Sequence, residues 1–172
     1  MEDDRSSSSA FLIRNPLETD GAAIWKLVDE VGVLDHNSSY AYIMVCRDFG
    51  DTCVVAERDG RLYGFITGYR PPKEPETLFV WQVGVSPAAR GEGLASRLLD
   101  ELLRTEGCRG VRFLETTVTP SNEASRAMFG SLARRLKADM TESAGFTSDL
   151  FPDAGHEPER RLHIGPFDVS AA

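Results

Sequence analysis

A chain of 172 residues, 41% apolar and 27% charged, has the proportions of one soluble globular domain and not of a disordered or fibrous polymer. No apolar run approaches the ~20 residues that span a bilayer, so no membrane partner is expected. The 27 acidic residues outnumber 19 basic ones, giving a formal charge of −8 that repels nucleic acid and steers small cations inward.

The first ten residues, MEDDRSSSSA, are acidic and Ser-rich without an apolar stretch. They read as a disordered tail over 1–10, not as a secretory or transit peptide, which points to the cytoplasm. Phe11-Leu12-Ile13-Arg14 predicts a short strand ended by Asn15-Pro16. Thr19 or Asp20 can cap a helix over 21–31 that places Ala23, Ile24, Leu27, Val28 and Val31 on one face. A polar turn over 35–40 follows, and Asn37 or Ser38 can cap a second helix running to about Phe49.

Three strands come next: 52–58, 62–69 and 77–85. Asp59-Gly60 is a hairpin signal between the first two, Pro71-Pro72 ends the second, and Ser86-Pro87 ends the third. The period then changes, with Leu94, Leu98, Leu99, Leu102 and Leu103 marking one face of a helix over 91–105. A strand over 111–117, a helix from Pro120 to about Leu136, a Gly-, Pro- and Asp-rich loop over 145–158 and a closing strand over 161–164 complete the order. The order β-α-α-β-β-β-α-β-α-β implies an α/β (α+β) domain over 11–167, a mixed, mostly antiparallel twisted sheet with helices on both faces, followed by a tail over 168–172.

Cys46, Cys53 and Cys108 are odd in number and fit no zinc spacing. Two sit in apolar runs, as buried free thiols do, and a reducing compartment argues against disulfides. His36, His156 and His163 form no H-E-x-x-H pattern, so no metal is expected.

The informative stretch runs from Val83 to Ser96, VGVSPAARGEGLAS: an apolar strand, a short turn and a glycine-rich entry into an amphipathic helix. Glycines let the backbone approach a ligand, and the first N–H groups of a helix lack intrahelical partners. With Arg90 beside them they suit a pyrophosphate. Three readings share these residues. One is a helix start with convenient glycines. Another is a dinucleotide site, with Gly91-Glu92-Gly93 as the fingerprint and Glu115, 22 residues beyond Gly93, as the ribose acid; Ser96 in the third glycine position and the preceding strand meander speak against it. The third is an acyl-CoA site.

Arg90-Gly91-Glu92-Gly93-Leu94-Ala95 resembles the R-x-x-G-x-A signature of the GNAT N-acetyltransferases, and Val83-x-Val85-x-Pro87 and Asn122 with Ala124 match other landmarks of that family. Segments 34–40, 68–72, 77–83 and 117–122 resemble more narrowly the L-2,4-diaminobutyrate acetyltransferases of ectoine biosynthesis, a branch of the family. The resemblance covers 11 to about 165. It implies a splayed central strand pair, with pantetheine pairing to backbone at Val83 and Val85. It implies a pyrophosphate held by Arg90, Gly91, Gly93, Leu94 and Ala95, with Asn122 also on the cofactor side. Acetyl-CoA is then the co-substrate, the γ-amine of L-2,4-diaminobutyrate the acceptor, and a homodimer the assembly.

A zwitterion carrying an extra ammonium calls for carboxylates and an aromatic wall. Glu115, a charge in an otherwise apolar strand, is the first candidate for the base, and Asp35, raised by the resemblance, the second. Trp81 and Tyr40 can form the walls, and alternation puts Trp81, Val83 and Val85 on one face. Many family members carry a Tyr seven residues after the helix-start Asn, where this chain has Phe129; either Tyr40 substitutes as the acid, or the thiolate leaves unprotonated or takes a proton from water. The resemblance also brings His156 near the substrate. Two other readings remain: acetylation of another small amine, such as a polyamine or an aminoglycoside, or a non-catalytic acyl-CoA sensor.

Overall fold

A computed structural model describes residues 10–169. The expected tail over 1–10, apart from Ala10, lies outside the described residues, as do residues 170–172 of the expected C-terminal tail. Val169 packs against the core.

The strands are β1 (Leu12–Arg14), β2 (Val54–Arg58), β3 (Arg61–Tyr69), β4 (Thr77–Val85), β5 (Phe113–Val118), β6 (Met140–Phe146) and β7 (Glu159–Ile164). The helices are α1 (Gly21–Val31), α2 (Ser39–Asp48), α3 (Leu94–Arg104) and α4 (Glu123–Arg135). Among the described residues the strands form one sheet in the order β1-β2-β3-β4-β5-β7-β6. Only β4 and β5 run parallel; every other pair is antiparallel.

Local chemistry sets these elements. Ser38 caps α2 by accepting from the Ala41 N–H at 3.2 Å, and Asn122 caps α4 by accepting from the Ser125 N–H at 3.0 Å. Asp59 and Gly60 both take positive φ, the geometry of the tight hairpin joining β2 to β3. Ile24, Leu27, Val28 and Val31 of α1 pack with Tyr42, Cys46, Val55 and Phe65 on one face of the sheet. The five leucines of α3 pack with Ile66, Leu78, Val80, Leu114 and Leu132 on the other. Each helix thus buries one stripe against the sheet. All three cysteines are buried free thiols; burial pushes Cys53 up to about 12 and Cys46 up to about 11, which keeps them unreactive.

Three expectations are corrected. β6 falls where no strand was expected and takes in the start of the expected loop over 145–158. Six of its seven residues are exposed, because it lies at the sheet edge and buries no face that would force an alternating pattern. The expected helix over 91–105 starts at Leu94, because Gly91 and Gly93 both hold left-handed φ. Trp81 does not share a face with Val83 and Val85. Between Thr67↔Gln82 and Gly68↔Val80 the β3–β4 register skips Trp81, a bulge that reverses the parity of the strand. Gly68 makes room for it, since a Cβ there would stand 2.8 Å from the Phe79 carbonyl oxygen.

Candidate active site

β4 and β5 pair only from Thr77 to Val80 against Phe113 to Thr116. Beyond that point they separate, and a cavity of about 810 Å³ opens there. The Ser86 N–H donates to the Tyr63 carbonyl at 2.7 Å, so by alternation Gln82 and Gly84 also turn their backbone toward β3. Val83 and Val85 present theirs to the side that β5 has left. This is a ladder edge with no strand on it, suited to an extended amide-bearing chain.

The turn after β4 is a glycine-rich helix start. Gly93, at φ +69°, precedes α3, and the first helical bond of α3 runs from the Arg97 N–H to the Gly93 carbonyl at 3.2 Å. The N–H groups of Leu94, Ala95 and Ser96 therefore stand at a helix start with no carbonyl of their own helix to bond. The Leu94 side chain itself is core, 1% exposed; only its backbone faces the turn. Glu92 is held away by Arg58 at 3.1 Å. Together the opened edge and this turn fit the two ends of acetyl-CoA.

Asp35, Trp81, Val83, Glu115, Asn122 and His156 all line the cavity. The turn over 90–95 and Val85 lie outside that lining, farther along β4. Tyr40 is 66% exposed on α2 and is not among the residues that line the cavity. Phe129 does line the cavity, 2% exposed and without a hydroxyl.

Glu115 sits in the middle of β5 with its side chain 13% exposed. Its Oε1 lies 3.0 Å from His163 Nδ1 and its Oε2 lies 4.0 Å from Arg161 Nε. Asp35 belongs to the segment between α1 and α2, and that segment is tied to the sheet. The Tyr42 hydroxyl donates to Gln82 Oε1 at 3.0 Å, and Gln82 Nε2 donates to the Asp35 carbonyl at 3.0 Å. Asn37 Nδ2 also donates to the Asp35 carbonyl, at 3.3 Å, while Trp25 Nε1 donates to the Asn37 carbonyl at 3.1 Å. Asp35 is thereby held at the rim of the cavity it lines. Trp81 stacks on Tyr42 with ring centroids 6.3 Å apart. His156 stacks on Phe151 at 3.8 Å, and its neighbour Glu157 is held by Ser121 just before α4.

His163, Arg161, Gln82 and Tyr42 were not singled out from sequence for the site. Gln82 in an apolar strand was the one legible signal, because a buried amide demands partners. Among the described residues no group of three or more His, Cys, Asp or Glu side chains comes together to hold a metal. None of the described helices is long and apolar enough to cross a membrane.

The sequence matches the Acetyltransferase (GNAT) family over residues 22–133. It is similar to the L-2,4-diaminobutyric acid acetyltransferase of Marinococcus halophilus, 49% identical over 167 residues, 97% of this chain and 96% of that one. The corresponding enzyme of Halalkalibacterium halodurans is 46% identical, over 95% of this chain and 86% of its own. Diaminobutyrate acetyltransferase EctA from Paenibacillus lautus, solved with its substrate L-2,4-diaminobutyric acid and coenzyme A, is 43% identical with a TM-score of 0.89 over 93% of this chain and 97% of that one. A splayed β4–β5 pair, a glycine turn opening α3 and these likenesses agree: the chain belongs to the acetyltransferase (GNAT) family, among its L-2,4-diaminobutyric acid acetyltransferases.

Proposed function

We propose that the chain transfers the acetyl group of acetyl-CoA to the γ-amine of L-2,4-diaminobutyrate, giving N4-acetyl-L-2,4-diaminobutyrate in ectoine biosynthesis. One observation carries the reading. Where β4 and β5 part, two acidic residues from different elements, Asp35 and Glu115, line a single cavity that Trp81 also lines. A substrate with two ammonium groups joined by methylenes needs that set.

An alkylammonium has a pKa near ~10 and is no nucleophile until it loses a proton. Glu115 takes that proton from the γ-ammonium, while Asp35 pairs with the α-ammonium and keeps it charged. Backbone N–H at the opened edge near Val83 supports the negative charge that builds on the thioester oxygen. The N–C bond forms, the C–S bond breaks, and the thiolate leaves without a tyrosine acid, since Phe129 has no hydroxyl and Tyr40 lies off the cavity; the second proton of the attacking nitrogen passes to the departing thiolate or to water. A cytoplasmic homodimer is part of the proposal, supported by the branch resemblance.

The test is thiol release from acetyl-CoA against a panel of amines. L-2,4-Diaminobutyrate is expected to exceed putrescine, spermidine and an aminoglycoside by at least ~10-fold in kcat/KM. Equal rates across the panel would overturn the substrate assignment, and no turnover with any amine would favour a sensor.

A further inference from the structure

We propose that His163 is a positioning residue for Glu115: its Nδ1–H fixes which carboxylate oxygen meets the substrate. The inference rests on reading Glu115 as the base.

The geometry is specific. His163 is the register partner of Glu115 across β5 and β7, and His163 Nδ1 stands 3.0 Å from Glu115 Oε1. A carboxylate oxygen only accepts, so Nδ1 carries the hydrogen. The ring is clamped against Phe113, centroids 5.2 Å apart and nearly parallel at 29°. With Oε1 engaged, Oε2 is the oxygen left for a proton from the cavity. Arg161 Nε, 4.0 Å from Oε2, is too far to close it with a hydrogen bond.

The experiment uses His163→Ala and His163→Asn, because the asparagine amide reaches the position of Nδ1 and donates there. Wild type must first acetylate diaminobutyrate; if it does not, the functional reading falls, independently of His163. Given activity, H163A is expected to lose about ten- to a hundredfold in kcat/KM, the scale of a misplaced reacting group, with KM for acetyl-CoA unchanged. H163N is expected to recover kcat/KM to within about threefold of wild type, because its amide restores the donor to Glu115. Wild-type kcat/KM in H163A, or H163N as impaired as H163A, would each overturn the assignment. Should H163A fail to fold, His163→Gln, whose amide stands near the position of Nε2 and not of Nδ1, takes its place with the same expected loss.

Discussion

The Thr116 hydroxyl donates to the Val80 carbonyl at 2.9 Å, at the last pair of the parallel β4–β5 ladder. Separating two paired strands normally orphans a buried backbone acceptor. Here a side chain from the departing strand satisfies it, so the sheet opens at a defined residue. Thr116→Val keeps the shape and removes the hydroxyl, and with it this bond to the Val80 oxygen. The expected loss is about 1–3 kcal/mol of stability in urea unfolding, with a several-fold higher KM for acetyl-CoA as the cleft edge loses definition. Wild-type stability and KM would show that the bond does not set the opening.

Gly93 precedes α3 at φ +69°, a conformation that β-branched residues avoid. A Cβ at Gly93 would meet nothing within 4 Å, so the strain is in the backbone alone. Gly93→Val should therefore move the free N–H groups of Leu94 and Ala95, and raise KM for acetyl-CoA at least several-fold, with a lowered melting temperature from the backbone strain. An unchanged KM in the folded variant would sink the pyrophosphate assignment.

Glu115→Gln keeps the shape of the side chain but takes no proton at neutral pH. The expected fall in kcat/KM is roughly two orders of magnitude, the usual scale for a positioned base. Assays up to pH 10 separate the roles. Recovery with rising pH identifies a base, because the amine then deprotonates without help. Persistence of the loss identifies a cation-binding group, and full activity at neutral pH removes Glu115 from both.

Asp20 tests the frame rather than the site. It is buried, accepts from Arg14 at 2.7 and 3.1 Å, and accepts from the Leu17 N–H at 2.7 Å. Burial alone would raise its carboxyl, but Arg14 and the Leu17 N–H together hold it below the reference value of 3.8. Its stabilisation is therefore complete above the unfolded value and fades as pH falls toward the folded one. Asp20→Asn should lose about 1.5–3 kcal/mol at pH 7, the scale of hydrogen bonds to a charged group. That gap should shrink below pH ~4, where the wild-type carboxyl begins to protonate. Urea midpoints at pH 7 and pH 3 that differ equally between the two proteins would refute the coupling.

Elements with a strong period were legible, because a buried stripe forces a pattern: the leucines of α3 announce the helix and its buried face together. β6 was not, since an edge strand exposed on both faces constrains neither side. The face of Trp81 was misread for a different reason. Alternation assumes two residues per repeat, and the bulge that skips Trp81 depends on Gly68 in another strand. The candidate site divides the same way. Glu115 and the glycine turn stood out by charge or flexibility in unusual surroundings, whereas Asp35, an acidic residue in a polar turn, stood out only through the family resemblance. The His163–Glu115 contact spans 48 positions and exists only through the β5–β7 register, which neither segment encodes alone.

The last prediction concerns which nitrogen is acetylated. Diaminobutyrate carries an α-ammonium beside its carboxylate and a γ-ammonium two methylenes farther out. The opened edge at Val83 lies in the cavity shared by Asp35 and Glu115. Asp35 is carried on a segment pinned by Gln82 and Asn37 through its carbonyl, so its carboxylate has a fixed base, and Glu115 is pinned by His163. Two fixed anions select the spacing between two cations. The carboxylate that pairs with the α-ammonium keeps it non-nucleophilic, and the one that accepts the γ-proton frees that nitrogen beside the thioester. Diaminopropionate, one methylene shorter, cannot satisfy both at once and should be a poorer substrate by ~10-fold or more in kcat/KM. Asp35→Asn should narrow that discrimination, because one of the two anchors is gone. Proton NMR of the product settles the site, since the methylene next to an acetylated nitrogen moves downfield. A product acetylated on the α-nitrogen would overturn the pose and the assignment of Asp35 to the α-ammonium with it.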